Sequence, residues 1–170
     1  MAKHSSAASA VHVHLLVARY YATTTPWGPE IRDGFSNNTT LCHFDCSAKN
    51  IFIPDDQSQD PVLFDWGQVI RANVGIEIAQ FLFSTTDPTA PSRFPDLVRY
   101  YHHQLLAGGV TGYTYDTLWN DFRSGCLVRL AAPIALAARG NPAADELALT
   151  LLPLVTSAVL TTNALDLVDL

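Results

Sequence analysis

The sequence predicts an α+β fold in which helices predominate, with one short β-hairpin ahead of a helical bundle. Two apolar runs, Ile51–Ile53 and Val62–Phe64, flank a polar turn segment at 54–61, which is the pattern of a hairpin. From Asn73 onward, apolar residues recur at helical spacing behind capping residues. The 170 residues, 48% of them apolar, suffice for one domain with a buried core.

The residues ahead of the hairpin predict an N-terminal helix and a loop. Residues 5–22 hold an apolar stripe at helical spacing, although Val11–His14 also alternates as a strand does. Residues 23–40 contain Pro, Gly and a polar run, which predicts a loop. We therefore expect two regions, an N-terminal helix and loop at 1–40 and a lobe at 41–170. The lobe divides into a loop and hairpin at 41–67 and a helical subdomain at 68–170.

Four helices are expected after the hairpin. Asn73 and Ser92 are candidate caps for the first two, a third begins near Thr114 and is kinked or ended by Pro133, and Asn141 starts the fourth. A proline at the first position of that last helix strengthens its start signal. The positions expected to face inward on it are Leu147, Leu151, Leu154 and Ala158.

Composition excludes several classes of protein. A net charge of −6 with only two lysines argues against nucleic-acid binding, which needs cations to displace counterions from phosphates. Three cysteines do not form a disulfide framework, and the N-terminus lacks the long apolar core of a signal peptide, so a cytoplasmic location is expected. The uncharged stretch Leu147–Leu165 is long enough to span a membrane, but Pro153 and several hydroxyl side chains favour a packed helix and no membrane partner.

Polar residues flank the hairpin at a spacing that suits phosphoryl transfer. His43, Asp45 and Asn50 form the pattern H-x-D-x-x-x-x-N, and Asp65 follows at the exit of the second strand. Phosphoryl transfer needs one carboxylate to orient a hydroxyl nucleophile, and oxygen ligands to hold Mg²⁺ against the phosphates. Because the hairpin joins Asn50 to Asp65, both side chains are expected to converge with Asp45 on one cleft.

The stretch Leu41–Phe83 resembles the aminoglycoside-phosphotransferase and choline-kinase-like branch of the protein-kinase-like fold. That branch has His-Gly-Asp, Asn and Ile-Asp-Trp motifs, which here read His43-Phe44-Asp45, Asn50 and Phe64-Asp65-Trp66. Its later acidic residue before Leu-Ala is matched by Glu77-Ile78-Ala79. The segment Tyr101–Arg123 is similar to the helical subdomain of ecdysteroid-kinase-like members.

The resemblance implies an ATP- and Mg²⁺-dependent small-molecule kinase that phosphorylates a hydroxyl group. By it, Asp45 is the catalytic base and Asn50 and Asp65 are magnesium ligands. His43 ties the catalytic loop to the Asp-Trp segment, and Glu77 supports the loop backbone. Two residues depart from the pattern: Phe44 replaces the usual Gly, and Glu77 replaces the usual Asp.

The N-terminal lobe of a kinase-like fold is not visible in the sequence. No G-x-G-x-x-G occurs, Lys3 has no strand around it, and Lys49 lies inside the catalytic loop, where we expect a solvated side chain. The prediction is a C-terminal lobe alone, with little or no phosphotransfer and with self-association through an exposed cleft. The alternatives are a catalytically inactive fragment or pseudokinase-like binding module, and a membrane-associated helical protein.

Overall fold

The computed structural model describes residues 38–167, apart from 57, 85, 86 and 88. The predicted helix at 5–22, the first part of the loop at 23–40 and the question of an N-terminal lobe lie outside the described residues. The described residues all belong to the larger of the two units into which the chain divides, Ser36–Leu170. The region boundary at residue 40 therefore stays a prediction.

The predicted hairpin is confirmed. Strands β2 (Ile51–Phe52) and β3 (Val62–Leu63) are antiparallel, with Ile51 opposite Leu63 and Phe52 opposite Val62. Their polar connection at 54–61 holds three acidic residues, which suits a solvated turn.

A second antiparallel pair was not predicted. Strand β1 (Thr39–Cys42) pairs with β4 (Ile70–Asn73), with Thr39 opposite Asn73 and Cys42 opposite Ile70. The prediction of a loop through residue 40 is therefore wrong at its end. The strand that pairs with β1 lies about 30 residues further along the chain. The polar residues at 36–40 resemble a turn when they are considered without that partner. The two strands contribute Cys42 and Ala72 to a small buried cluster that Ile76 completes.

Helices make up most of the rest of the described chain, which confirms the α+β, mainly α fold. They are α1 (Val74–Leu82), α2 (Phe94–Ala107), α3 (Tyr115–Ala137) and α4 (Pro142–Thr161). Three of the predicted start signals form caps. The side chains of Asn73, Thr114 and Asn141 accept hydrogen bonds from the backbone N–H groups of Gly75, Thr117 and Ala144.

Three helix details differ from the prediction. Ser92 does not cap α2, because its hydroxyl donates to the carbonyl of Thr89 within a 3₁₀ turn that leads into the helix. Pro133 does not end α3, which continues to Ala137, and the alternative of a kink stays a prediction. Leu147 is 47% exposed, because the face of α4 that packs inward holds its neighbour Ala148 instead. Leu154 and Ala158 are buried as expected.

Helix α4 is long and apolar enough to cross a membrane by length and composition, with a mean hydropathy of 1.5 over its most apolar window. A core helix of a soluble protein meets the same criterion. The inner face of α4, with Val155 and Val159, is buried within the described fold. The absence of a membrane partner stays a prediction.

Helices α1 and α3 touch through their backbones. A Cβ atom on Gly75 would overlap the backbone carbonyl of Asp121, and one on Gly125 would overlap the carbonyl of Gly75. Both glycines are buried, so neither position has solvent into which a side chain could turn. The contact fixes the register of α1 on α3, and with it the side chains that α1 and α3 present to the loop between β1 and β2.

We expect Gly125→Ala to lower the free energy of unfolding by about 3 kcal/mol or more, because the new methyl group meets backbone that cannot move aside cheaply. Gly108→Ala is the matched control, since its Cβ would lie 3.4 Å from the nearest atoms, the carbonyl oxygens of Gln104 and Leu105. It should change stability by less than about 1 kcal/mol. Chemical denaturation of both variants measures the difference, and equal stability of the two would contradict the contact.

Candidate active site

The loop between β1 and β2 holds Asp45 at the centre of a set of hydrogen-bond donors. The Nδ2 amide of Asn50 donates to Oδ2 of Asp45 at 3.1 Å, and Nε2 of Gln80 donates to Oδ1 at 3.3 Å. The ammonium group of Lys49 lies 3.1 Å from Oδ2. The Asp45 side chain is 19% exposed, whereas that of Lys49 is 70% exposed. The carboxylate is therefore held in a fixed orientation with one side open to solvent through Lys49.

Asn50 is buried and is oriented by its amide nitrogen. That nitrogen also donates to the backbone carbonyl of Asp45 at 2.8 Å, and the Asn50 backbone N–H donates to Ser47 at 2.9 Å, closing a 3₁₀ turn. Both side-chain hydrogen bonds of Asn50 use Nδ2, which leaves its carbonyl oxygen for another partner. An amide oxygen is a suitable ligand for Mg²⁺.

His43 connects the loop to the segment after β3. Its Nε2 lies 2.8 Å from the carbonyl oxygen of Phe64, and the backbone N–H of Asp45 donates to Nδ1 at 3.3 Å. These two contacts require the tautomer with its hydrogen on Nε2. The ring also meets Trp66 edge-on, with 4.9 Å between centroids, and Trp66 remains about half exposed.

Asp65 joins the set through its backbone neighbour. The backbone N–H of Phe64 donates to the carbonyl of Asn50 at 3.0 Å, which brings the backbones of Asn50 and Asp65 together at the hairpin. Asp65 is exposed and adopts a left-handed conformation with φ 64° and ψ 54°. Among the described residues, no hydrogen bond joins its carboxylate to Asp45 or Asn50, so the convergence of the three side chains on one cation stays a prediction.

Phe44 occupies a strained position between His43 and Asp45. Its φ of 68° lies in the left-handed region, which costs a non-glycine residue about 1–2 kcal/mol. The carboxylate of Glu77, on α1, accepts the backbone N–H of His43 at 2.7 Å on Oε1 and that of Phe44 at 2.9 Å on Oε2. Charge-assisted bonds of this kind offset the strain. The structure thus brings Glu77 beneath the loop where the family resemblance implied it.

Two residues at the site were not found in the sequence. Gln80 lies three positions after Glu77 on α1, so the shared helix face offered a signal that was overlooked. Arg129, on α3, donates from Nη2 to the carbonyl of Phe44 at 2.9 Å across 85 positions of chain. Nothing in the local sequence around the loop points to Arg129.

Burial and charge set the protonation of two side chains at the site. Burial raises the pKa of the Cys46 thiol to about 11, and the negative charges of Glu77 and Asp45 act in the same direction. Burial lowers the pKa of Arg129 to about 10, against the opposite effect of Glu77 and Asp45. At neutral pH Cys46 is therefore a thiol and a poor nucleophile, while Arg129 is a cation.

We expect Cys46 to react slowly with iodoacetamide at pH 8. A pKa of about 11 instead of 9.0 reduces the thiolate fraction about a hundredfold, and the alkylation rate should fall with it relative to a free thiol. Peptide mapping of the labelled native chain gives the rate at Cys46. Asp45→Asn removes one negative neighbour and should accelerate the reaction. Labelling of Cys46 as fast as glutathione would contradict a half-buried thiol beside two carboxylates.

Comparison with known proteins adds one match. The model of the Ecdysteroid kinase-like family matches residues 16–108, which is more than half of the chain and includes the loop, the hairpin and Glu77. The chain belongs to the ecdysteroid kinase-like family. This confirms the resemblance drawn from the motifs and agrees with a kinase-like lobe. No curated protein matches this member of the family, and no solved structure matches it.

The donor set of this ecdysteroid kinase-like chain fits Mg²⁺ better than a transition metal. Within the described part of the chain, no three His, Cys, Asp or Glu residues lie close enough to hold one metal ion. Mg²⁺ does not need such a cage, because it is commonly bound by one or two protein oxygens together with phosphate and water. The side-chain oxygen of Asn50 and the exposed carboxylate of Asp65 are oxygen atoms of that kind, and their binding of one ion stays a prediction.

We expect Glu77→Gln to destabilise the chain by about 2 kcal/mol, because an amide offers one oxygen where the loop presents two N–H groups. Glu77→Asp keeps both acceptors on a shorter arm and should cost less. Thermal or chemical denaturation gives the comparison. Equal losses from both substitutions would show that the two-oxygen contact is not what supports the loop.

Proposed function

We propose that this chain is the catalytic lobe of a small-molecule kinase, which transfers the γ-phosphoryl group of ATP to a hydroxyl group. Asp45 is the catalytic base, Asn50 and Asp65 are the Mg²⁺ ligands, and His43 and Glu77 position the loop. The observation that supports the proposal is the orientation of the Asp45 carboxylate by Asn50, Gln80 and Lys49 in a chain of this family. The ligand and base roles, ATP and Mg²⁺ all belong to the proposal.

The proposed step uses the open side of Asp45. An exposed ion pair contributes little stability, so an incoming hydroxyl can displace Lys49 from Oδ2. The hydroxyl oxygen forms a bond to the γ-phosphorus, the bond from the γ-phosphorus to the bridging oxygen of ADP breaks, and the hydroxyl proton passes to Asp45. Bound Mg²⁺ would neutralise charge on the phosphates during this transfer. Gln80 and Asn50 keep the carboxylate aligned while Lys49 is displaced.

Partners and location follow from composition within the same proposal. The acceptor is a small molecule with a hydroxyl group, and a net charge of −6 suits a cationic one. The same charge disfavours nucleic acid, and the three cysteines, free in the structure, suit the cytoplasm. Exposed apolar side chains near the hairpin, among them Phe52 and Trp66, suit self-association at this face.

The test is a phosphotransfer assay on the purified chain with ATP, Mg²⁺ and a panel of amino sugars and amino alcohols. We expect turnover well below about 1 per second, the lower end of the usual kinase range. Asp45→Asn should reduce any transfer at least about a hundredfold. Asp55→Asn, in the exposed hairpin turn, is the matched control and should leave transfer unchanged. Equal transfer by Asp45→Asn and the native chain would exclude Asp45 as the base.

A binding module without turnover is the second candidate. It is favoured by the three donors that already contact the Asp45 carboxylate, because a substrate hydroxyl must compete with Lys49 for Oδ2. The observation that separates the two candidates is nucleotide binding without transfer to any acceptor.

We expect ATP binding measured by calorimetry to require Mg²⁺, and Asp65→Asn to weaken it about tenfold, because one of two proposed ligands loses its charge. Asp60→Asn, an exposed change of the same kind at the end of the hairpin turn, should leave the affinity as it is. Binding that is indifferent to Mg²⁺, or equally affected by both variants, would contradict the proposed cation site.

A further inference from the structure

The site contains a bulky residue at a position whose backbone suits glycine. Phe44 has a φ of 68°, and a side chain in that region persists only where its surroundings impose the conformation. The carboxylate of Glu77 holds the N–H side of Phe44. The ring packs against the buried cluster of Cys42, Ala72 and Ile76. Neither that packing nor the hydrogen bond to the N–H group holds the carbonyl.

Arg129 holds the other two parts of Phe44. Its Nη2 donates to the Phe44 carbonyl at 2.9 Å, and the centre of its guanidinium lies 4.6 Å from the centroid of the Phe44 ring. Its Nε reaches the carbonyl of Ile76 at 3.5 Å, at the edge of hydrogen-bond distance. A planar guanidinium can bind a carbonyl with its edge and stack on an aromatic ring with its face. One side chain thus holds both the backbone and the ring of Phe44.

The charge of Arg129 fits this place. Glu77 and Asp45 are both close enough to favour its cationic form, and the guanidinium remains protonated at neutral pH. The cation binds the carbonyl of Phe44, whereas the Glu77 carboxylate binds its N–H. The N–H of Phe44 therefore meets an anion while its carbonyl meets a cation, so the peptide groups before and after Phe44 are each held by a charged side chain.

We propose that Arg129 is a positioning residue, which holds Phe44 in the left-handed conformation and so fixes the direction of Asp45. The need for it arises because residue 44 is Phe and not Gly. The structural part of this inference concerns the loop alone, and its effect on phosphotransfer rests on the proposed function of Asp45. If the inference is right, the effect of losing Arg129 depends on which residue occupies position 44.

A double-mutant cycle on the full chain tests that dependence. Arg129→Met keeps the length of the side chain without its charge, and should lower the folding equilibrium constant about tenfold or more. In a Phe44→Gly background, the decrease in the folding equilibrium constant caused by Arg129→Met should be smaller by a factor of at least about five, because glycine needs no support at this φ. Arg139→Met, an exposed change near the end of the same helix, is the control and should cost the same in both backgrounds.

Two readouts separate positioning from general packing. Hydrogen exchange at the amides of Phe44 and Asp45 should accelerate about tenfold in Arg129→Met relative to amides within α4, and Phe44→Gly should restore it. Arg129→Lys retains the charge but not the planar guanidinium with its several N–H donors. Relative to Arg129→Met, it should restore the stability of the fold without restoring slow exchange at these amides. This variant also serves if Arg129→Met fails to fold. Where phosphotransfer is detectable, Arg129→Met should lower kcat and leave the KM for ATP nearly unchanged.

Equal losses from Arg129→Met in the native and the Phe44→Gly backgrounds, or exchange that accelerates uniformly along the chain, would overturn the inference. Coupling together with local exchange supports it. The level of phosphotransfer from the native chain bears on the proposed function of Asp45 only, because folding and exchange measure the role of Arg129 without any turnover.

Discussion

The backbone contact between Gly75 and Gly125 is the constraint on which the site depends. With no Cβ at either position, α1 lies against α3 more closely than a larger residue at Gly75 or Gly125 would allow. Glu77 follows Gly75 by two residues, and Arg129 follows Gly125 by one helical turn. The same contact therefore determines where the carboxylate and the guanidinium reach the loop.

The loop in turn depends on that pair of charges. Without them, we expect the strained backbone of Phe44 to relax and the direction of the adjacent Asp45 to change with it. Glu77 and Arg129 are fixed to separate helices, so neither can follow such a movement without disturbing the packing of α1 on α3. Gln80, one turn beyond Glu77, extends the same support to the Asp45 carboxylate itself. The rigidity of the helical core is thereby transmitted to the proposed base.

The parts of this architecture that follow local rules could be predicted from the sequence. The hairpin, the caps at Asn73, Thr114 and Asn141, and the neighbourhood of His43 with the Asp-Trp segment all depend on short patterns or on a family motif. The pairing of β1 with β4 and the approach of Arg129 depend on contacts between distant segments, which no local pattern encodes. Lys49 is an intermediate case: it is exposed as expected, yet its position four residues after Asp45 brings its charge onto the carboxylate.

The replacement of glycine by Phe44 changes which part of the chain maintains the site. At a glycine, the left-handed conformation costs little, and the hydrogen bonds from the loop to Glu77 would be enough to hold it. At Phe44 the ring and carbonyl need a partner as well, and that partner lies on α3, beyond the end of the family match at residue 108. A loop typical of the family is thus supported by a helix outside the matched region. Under the role proposed for Arg129, the helical subdomain takes part in positioning Asp45.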